Sequence, residues 1–155
     1  MSGVVRWSRF LFNVVAWLFV VCCAVQVYLA GIGVFSSGRN FGAHALFSAF
    51  GLLTIVLIVL SLTGRTPRRI VGASALLFVL FFLQSILVAF WRANPPNSAV
   101  AALHPLNGFL IFFVGIWLAW TTRGYLRAPR PQTAPPDRSM NQRPPRKRSG
   151  PCPPA

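Results

Sequence analysis

Apolar residues in this chain gather into four blocks, Phe10–Phe35, Phe41–Leu62, Ile70–Trp91 and Ala99–Thr122, divided by short polar stretches. Each block is about the twenty residues that a helix needs to cross the hydrocarbon core of a bilayer. An open strand in lipid would leave edge N–H and C=O groups unpaired. Short β-like runs such as Ile55–Leu60 therefore do not change the reading, which is four transmembrane helices. The connections Ser36–Asn40, Thr63–Arg69 and Arg92–Ser98 are short, and Gly38, Asn40, Pro67, Asn94, Pro95 and Pro96 supply their turn chemistry. Short links between spans favour an all-α, up-down-up-down four-helix bundle. They leave no room for a soluble catalytic domain.

The first block, preceded by Arg6 and Arg9, looks like a signal sequence. It exceeds the roughly 7–15 residue apolar core of a cleaved signal, and Gln26 falls late inside it, so a retained helix is expected. Residues 1–127 then form the transmembrane domain. From Ala128 to Ala155 the composition changes: nine of the thirteen prolines lie there, and four of the six residues Arg143–Arg148 are basic. Such a segment cannot bury a core, so it is expected to be a disordered tail. Cys22 and Cys23 pack as small apolar residues in mid-span, and Cys152 sits in a C-terminal box whose prolines suit prenylation poorly.

Charge sets the orientation. Fifteen Lys and Arg face one acid, Asp137, for a net charge of +14. Arg6 and Arg9 precede the first span, Arg65, Arg68 and Arg69 lie between the second and third, and the basic tail follows the fourth. The other two loops hold one arginine each, Arg39 and Arg92. The positive-inside rule then puts both termini and the middle loop in the cytoplasm of a multi-pass plasma-membrane protein. Most of this charge flanks spans, which favours anionic lipid over nucleic acid as its partner.

Absences narrow the chemistry. No Asp or Glu lies in any span or loop, no glycine-rich phosphate loop occurs, and no nucleophile stands beside a base with an orienting acid. What remains is the only two histidines, His44 and His104, each just inside the start of an even-numbered block. Each follows a glutamine in the preceding block, Gln26 by 18 residues (44 − 26) and Gln84 by 20 (104 − 84). The segments Gln26–Ala30 and Gln84–Val88 also match, which suggests two helical hairpins related by an axis along the membrane normal.

A neutral imidazole is a metal ligand, and two from facing helices can clamp one haem iron. Ser48 and Gly51 share the face of His44, and Gly108 and Gly115 that of His104, as small residues beside a flat macrocycle would. The expectation is a bis-histidine haem b held by His44 and His104, with Gln26 and Gln84 orienting the imidazoles. Arg39 and Arg92 would pair with the propionates. Copper at the same pair is a weaker fit, since two imidazoles leave its coordination incomplete. The rival expectation is a cofactor-free accessory subunit, because small and polar residues also serve ordinary packing between membrane helices.

The run Val25–Gly31, then His44, Leu83–Leu87 and His104-Pro105-Leu106-Asn107-Gly108, resembles a family of small four-helix bacterial membrane proteins of unknown function. More distantly it is similar to one four-helix half of haem A synthase. That resemblance implies haem ligation by His44 and His104. The chain lacks the acid that follows the histidines in the synthase's active half, and Ala30 and Val88 replace a usual glycine after leucine. Haem hydroxylation is therefore not implied. An electron-transfer role beside a membrane redox partner, or a homodimer restoring eight helices, would be consistent with it.

Overall fold

The computed structural model describes residues 3–36, 41–92 and 97–127. The expectations for the loop residues 37–40 and 93–96 and for the tail 128–155 lie outside these. Helix α1 (Gly3–Phe35) forms the first span; α2 (Phe41–Phe47), a 3₁₀ segment (Ser48–Leu52) and α3 (Leu53–Thr63) form the second. Helix α4 (Arg68–Arg92) is the third, and α5 (Ser98–Ala101) with α6 (Leu103–Arg127) the fourth. All four spans are long and apolar enough to cross a membrane. The chain is a four-span helical membrane protein.

Its interior is mixed, with Phe12, Phe19, Leu57 and Leu77 fully buried alongside small polar residues. Ser8, Thr54, Ser61, Ser74, Asn107 and Thr122 are buried, whereas Trp7, Phe109, Phe113, Trp117 and Trp120 are exposed. In lipid, hydrophobicity does not itself drive side chains inward, so packing fit and hydrogen bonding decide which residues lie inside. Buried hydroxyls satisfy themselves on their own helices: Thr54 donates to the Gly51 carbonyl at 2.7 Å, Ser74 to Ile70 at 2.9 Å and Thr122 to Leu118 at 2.7 Å.

Buried positions on α1 run Val5, Ser8, Phe12, Ala16, Phe19, Cys23, the three-and-four spacing of coiled-coil-like packing. The helix extends upstream of the expected Phe10, and Val5 and Ser8 continue its buried stripe there. Each span packs beside the next in sequence, and α6 closes the ring against α1. The closure is hydrogen-bonded, since Asn13 Nδ2 donates to the Ala119 carbonyl at 2.9 Å and to Thr122 Oγ1 at 3.0 Å.

Two spans depart from continuous α-helix. In the second, Ser48 Oγ donates to the Ala45 carbonyl at 2.5 Å and the backbone tightens into the 3₁₀ segment. Gly51 there faces the Phe81 ring so closely that a Cβ would overlap it. In the fourth span the helix breaks at Ala102. Pro105, in the first turn of α6, offers no N–H to residue 101, four positions back.

Candidate functional site

Four polar side chains meet at the end of the bundle opposite the Thr63–Arg68 connection. Gln26 and Gln84 sit late in the first and third spans, and His44 and His104 sit early in the second and fourth. Each hairpin forms the same reciprocal clasp. Gln26 Nε2 donates to the His44 carbonyl at 2.9 Å, and His44 Nδ1 lies 3.1 Å from the Gln26 carbonyl. Gln84 Nε2 donates to the His104 carbonyl at 2.9 Å, and His104 Nδ1 lies 3.4 Å from the Gln84 carbonyl. A carbonyl only accepts, so Nδ1 carries the proton in both rings and the lone pair stays on Nε2. The two half-buried imidazoles lie edge to face, with ring centroids 6.3 Å apart and planes at 63°.

The clasps are not identical. Asn107, one turn after His104, donates to Gln84 Oε1 at 2.5 Å and to the Leu80 carbonyl at 2.8 Å. The matching position after His44 (44 + 3) is Phe47, which offers no such donor. Gln26 Oε1 is accordingly buried without a partner among the described residues, as is Asn107 Oδ1. In the first hairpin Gln26 Nε2 instead comes within 3.3 Å of His44 Nε2, to which it can donate.

Gln26, Gln84, His44 and His104 are thus brought together. Arg92 stands exposed at the last residue of α4, eight positions (92 − 84) or about 12 Å of helix beyond Gln84. Arg39 lies outside the described residues. Of the small residues expected to open a groove, Gly51 is covered by Phe81, Gly108 by the Gln84 amide and Gly115 by Phe19. A cleft of about 200 Å³ remains between the second and third spans, bordered by Ser48, Gly51, Phe81 and Ser85, one turn from His44 and one residue from Gln84. Asn107 is the residue whose part sequence reasoning missed. Its signal was a lone amide one helical turn from His104 inside an apolar block.

As a ligand set the site offers two imidazoles and nothing more. Among the described residues no third His, Cys, Asp or Glu joins them. A zinc or copper ion needs more protein donors than that, whereas a haem needs only axial ligands, its macrocycle supplying the rest. In number and type, two imidazoles match the protein ligands of a haem iron, while the rings of Phe81 and Phe19 close the Gly51 and Gly115 faces expected beside its macrocycle.

Fold and site together define a small four-span membrane protein with paired Gln–His clasps at one end. Residues 26–90 match the model of a family described as a family of unknown function (DUF6220). That stretch holds Gln26, His44 and Gln84 and stops short of His104. No curated protein and no solved structure matches the chain. The likeness to haem A synthase rests on the quoted residues alone.

Proposed function

We infer that this protein binds one haem b between His44 and His104 and works as a one-electron carrier in the membrane. The observation that supports the reading is the neighbouring pair of imidazoles, each with Nδ1 held on a glutamine carbonyl, so that Nε2 is the ligating atom once the Gln26 amide gives up its 3.3 Å contact with His44 Nε2. Bound haem would supply a redox couple whose filled axial positions favour electron transfer over oxygen activation. The chain's own residues set the conditions for it. The Gln26 and Gln84 carbonyls fix the tautomer and orientation of each ring, as outer-shell partners of metal-bound histidine do. For His44 to ligate, the Gln26 amide must release Nε2 and keep its bond to the His44 carbonyl. Arg92, and Arg39 beyond the described residues, are the cations on this side for the propionates, and a membrane redox partner or second copy would complete the pathway.

The test is a dithionite-reduced minus oxidised spectrum of protein purified from haem-supplied cells. Sharp b-type bands in the wild type, lost in His44→Ala and in His104→Ala, are the expected outcome. A flat spectrum from folded wild-type protein would sink the reading. A second reading is favoured by the His44 Nε2 contact with Gln26 Nε2: the clasps lock each hairpin mechanically, and the protein is a cofactor-free accessory subunit. On that reading both alanine variants lose stability and no spectrum changes.

A further inference from the structure

The arginine-rich end of the bundle contains a second site, independent of the histidine pair. Arg9 and Arg65, with Phe12, Thr66, Pro67 and Thr122, line a cavity of about 260 Å³ where the first span meets the Thr63–Arg68 connection. Arg9 is half-buried, and its guanidinium is held by two carbonyls: Nε donates to Gly64 at 2.8 Å and Nη2 to Arg65 at 3.2 Å. Three of its five N–H groups remain for another acceptor. The hydroxyls beside it are already engaged, since Thr66 donates to the Ser61 carbonyl and Thr122 to Leu118. No Asp or Glu occurs anywhere between residues 3 and 127.

The backbone here is arranged against local preference. Helix α3 ends in a Schellman motif, with Thr66 N–H on the Ser61 carbonyl at 3.1 Å and Arg65 N–H on Leu62 at 3.0 Å. The left-handed position of that motif usually belongs to glycine, yet Arg65 occupies it at φ 48°. Gly64, one residue earlier, serves another need: a Cβ there would meet the Leu60 carbonyl and the Arg9 stem. Arg65 thus takes a left-handed backbone at the edge of the cavity, next to Arg9, which two carbonyls hold in place.

We propose that this cavity binds the phosphodiester of an anionic phospholipid between the Arg9 and Arg65 guanidinium groups. Guanidinium pairs the oxygens of a phosphate through parallel N–H bonds. Arg6, Arg68 and Arg123, exposed at the same end, add a field that draws anionic lipid to it. A free phosphate ion has the same chemistry, so the two sources must be separated by experiment.

The full chain is melted in neutral detergent with added phosphatidylglycerol, phosphatidylcholine or inorganic phosphate. Phosphatidylglycerol is expected to raise the wild-type Tm well above the zwitterionic lipid. Arg65→Gly suits the left-handed backbone better than arginine does, so its lipid-free Tm should equal or exceed the wild type. Its apparent affinity for phosphatidylglycerol should fall about fivefold. Arg65→Asn, which also tolerates that backbone, should behave likewise. Undiminished phosphatidylglycerol binding in both variants would overturn the proposal, as would equal stabilisation by phosphatidylcholine. Inorganic phosphate that matches phosphatidylglycerol and displaces it would assign the cavity to a free anion and remove the lipid from it.

Discussion

Residue by residue, the two clasps look like copies, yet their amides carry unequal loads. Gln84 holds the His104 carbonyl and also accepts from Asn107, while the Oε1 of Gln26 accepts from none of the described residues. Gln84→Leu removes an acceptor that a buried amide depends on; Gln26→Leu removes the bond to the His44 carbonyl and a longer contact with His44 Nε2, together with an unsatisfied oxygen. A polar bond between membrane helices contributes about 0.6 kcal/mol on average, and a buried donor left short of partners costs roughly 1–3 kcal/mol. Gln84→Leu should therefore destabilise by about 1 kcal/mol more than Gln26→Leu in reversible unfolding with sodium dodecyl sulfate in mixed micelles. Equal losses, or a larger one at Gln26, would mean that Asn107 finds another acceptor. Much of this site was legible before any coordinates, because His44, His104, Gln26 and Gln84 are conspicuous in blocks with so few polar groups. Asn107 was not. Its meaning lies in facing Gln84 across two spans where the other hairpin has Phe47, a difference of register that one dimension does not display.

At the scale of elements, the second span couples the histidine end to the rest of the bundle through its 3₁₀ segment. Asn13, Gln26, Gln84 and Asn107 hydrogen-bond across the other three interfaces. The interface between the second and third spans relies on shape, with the Phe81 ring seated over Gly51 and against Phe50 at a centroid distance of 5.3 Å. Gly51→Ala should cost about 1–3 kcal/mol by overpacking. Adding Phe81→Leu should recover part of that loss, a coupling that a double-mutant cycle reads directly. Strictly additive effects would show that the ring moves aside freely. Four spans and their short links were readable from apolar block length, since lipid requires that length whatever the packing. The irregularities were hidden for the opposite reason. Gly51 of the 3₁₀ segment packs under Phe81, thirty residues further along (81 − 51), and the buried stripe of α1 runs on through Val5 and Ser8 ahead of the apolar block. Inside such apolar helices hydrophobicity does not mark the buried side, as the exposed tryptophans and buried serines attest.

For the whole molecule, the asymmetry of charge between its two ends leads to a prediction of where both sites face. Arg6, Arg9, Arg65, Arg68, Arg69 and Arg123 occupy one end, and Arg92 is the cation among the described residues at the other. An even number of spans brings Gly3 and Arg127 to the same end. Short loops with this bias are retained in the cytoplasm, so the phosphate cavity should open on the cytoplasmic leaflet and the imidazole pair should lie near the outer surface. Single cysteines in a background with Cys22, Cys23 and Cys152 replaced report this without a folded-state assay. In intact cells a membrane-impermeant maleimide should label Ser98→Cys and spare Thr63→Cys; opening the cells should label both. The reverse pattern would place the histidines beside the cytoplasm and the arginines outside, where fewer anionic lipids face them. An electron carried on His44 and His104 would then exchange with cytoplasmic rather than external partners, so this labelling result decides on which side a redox partner has to be sought.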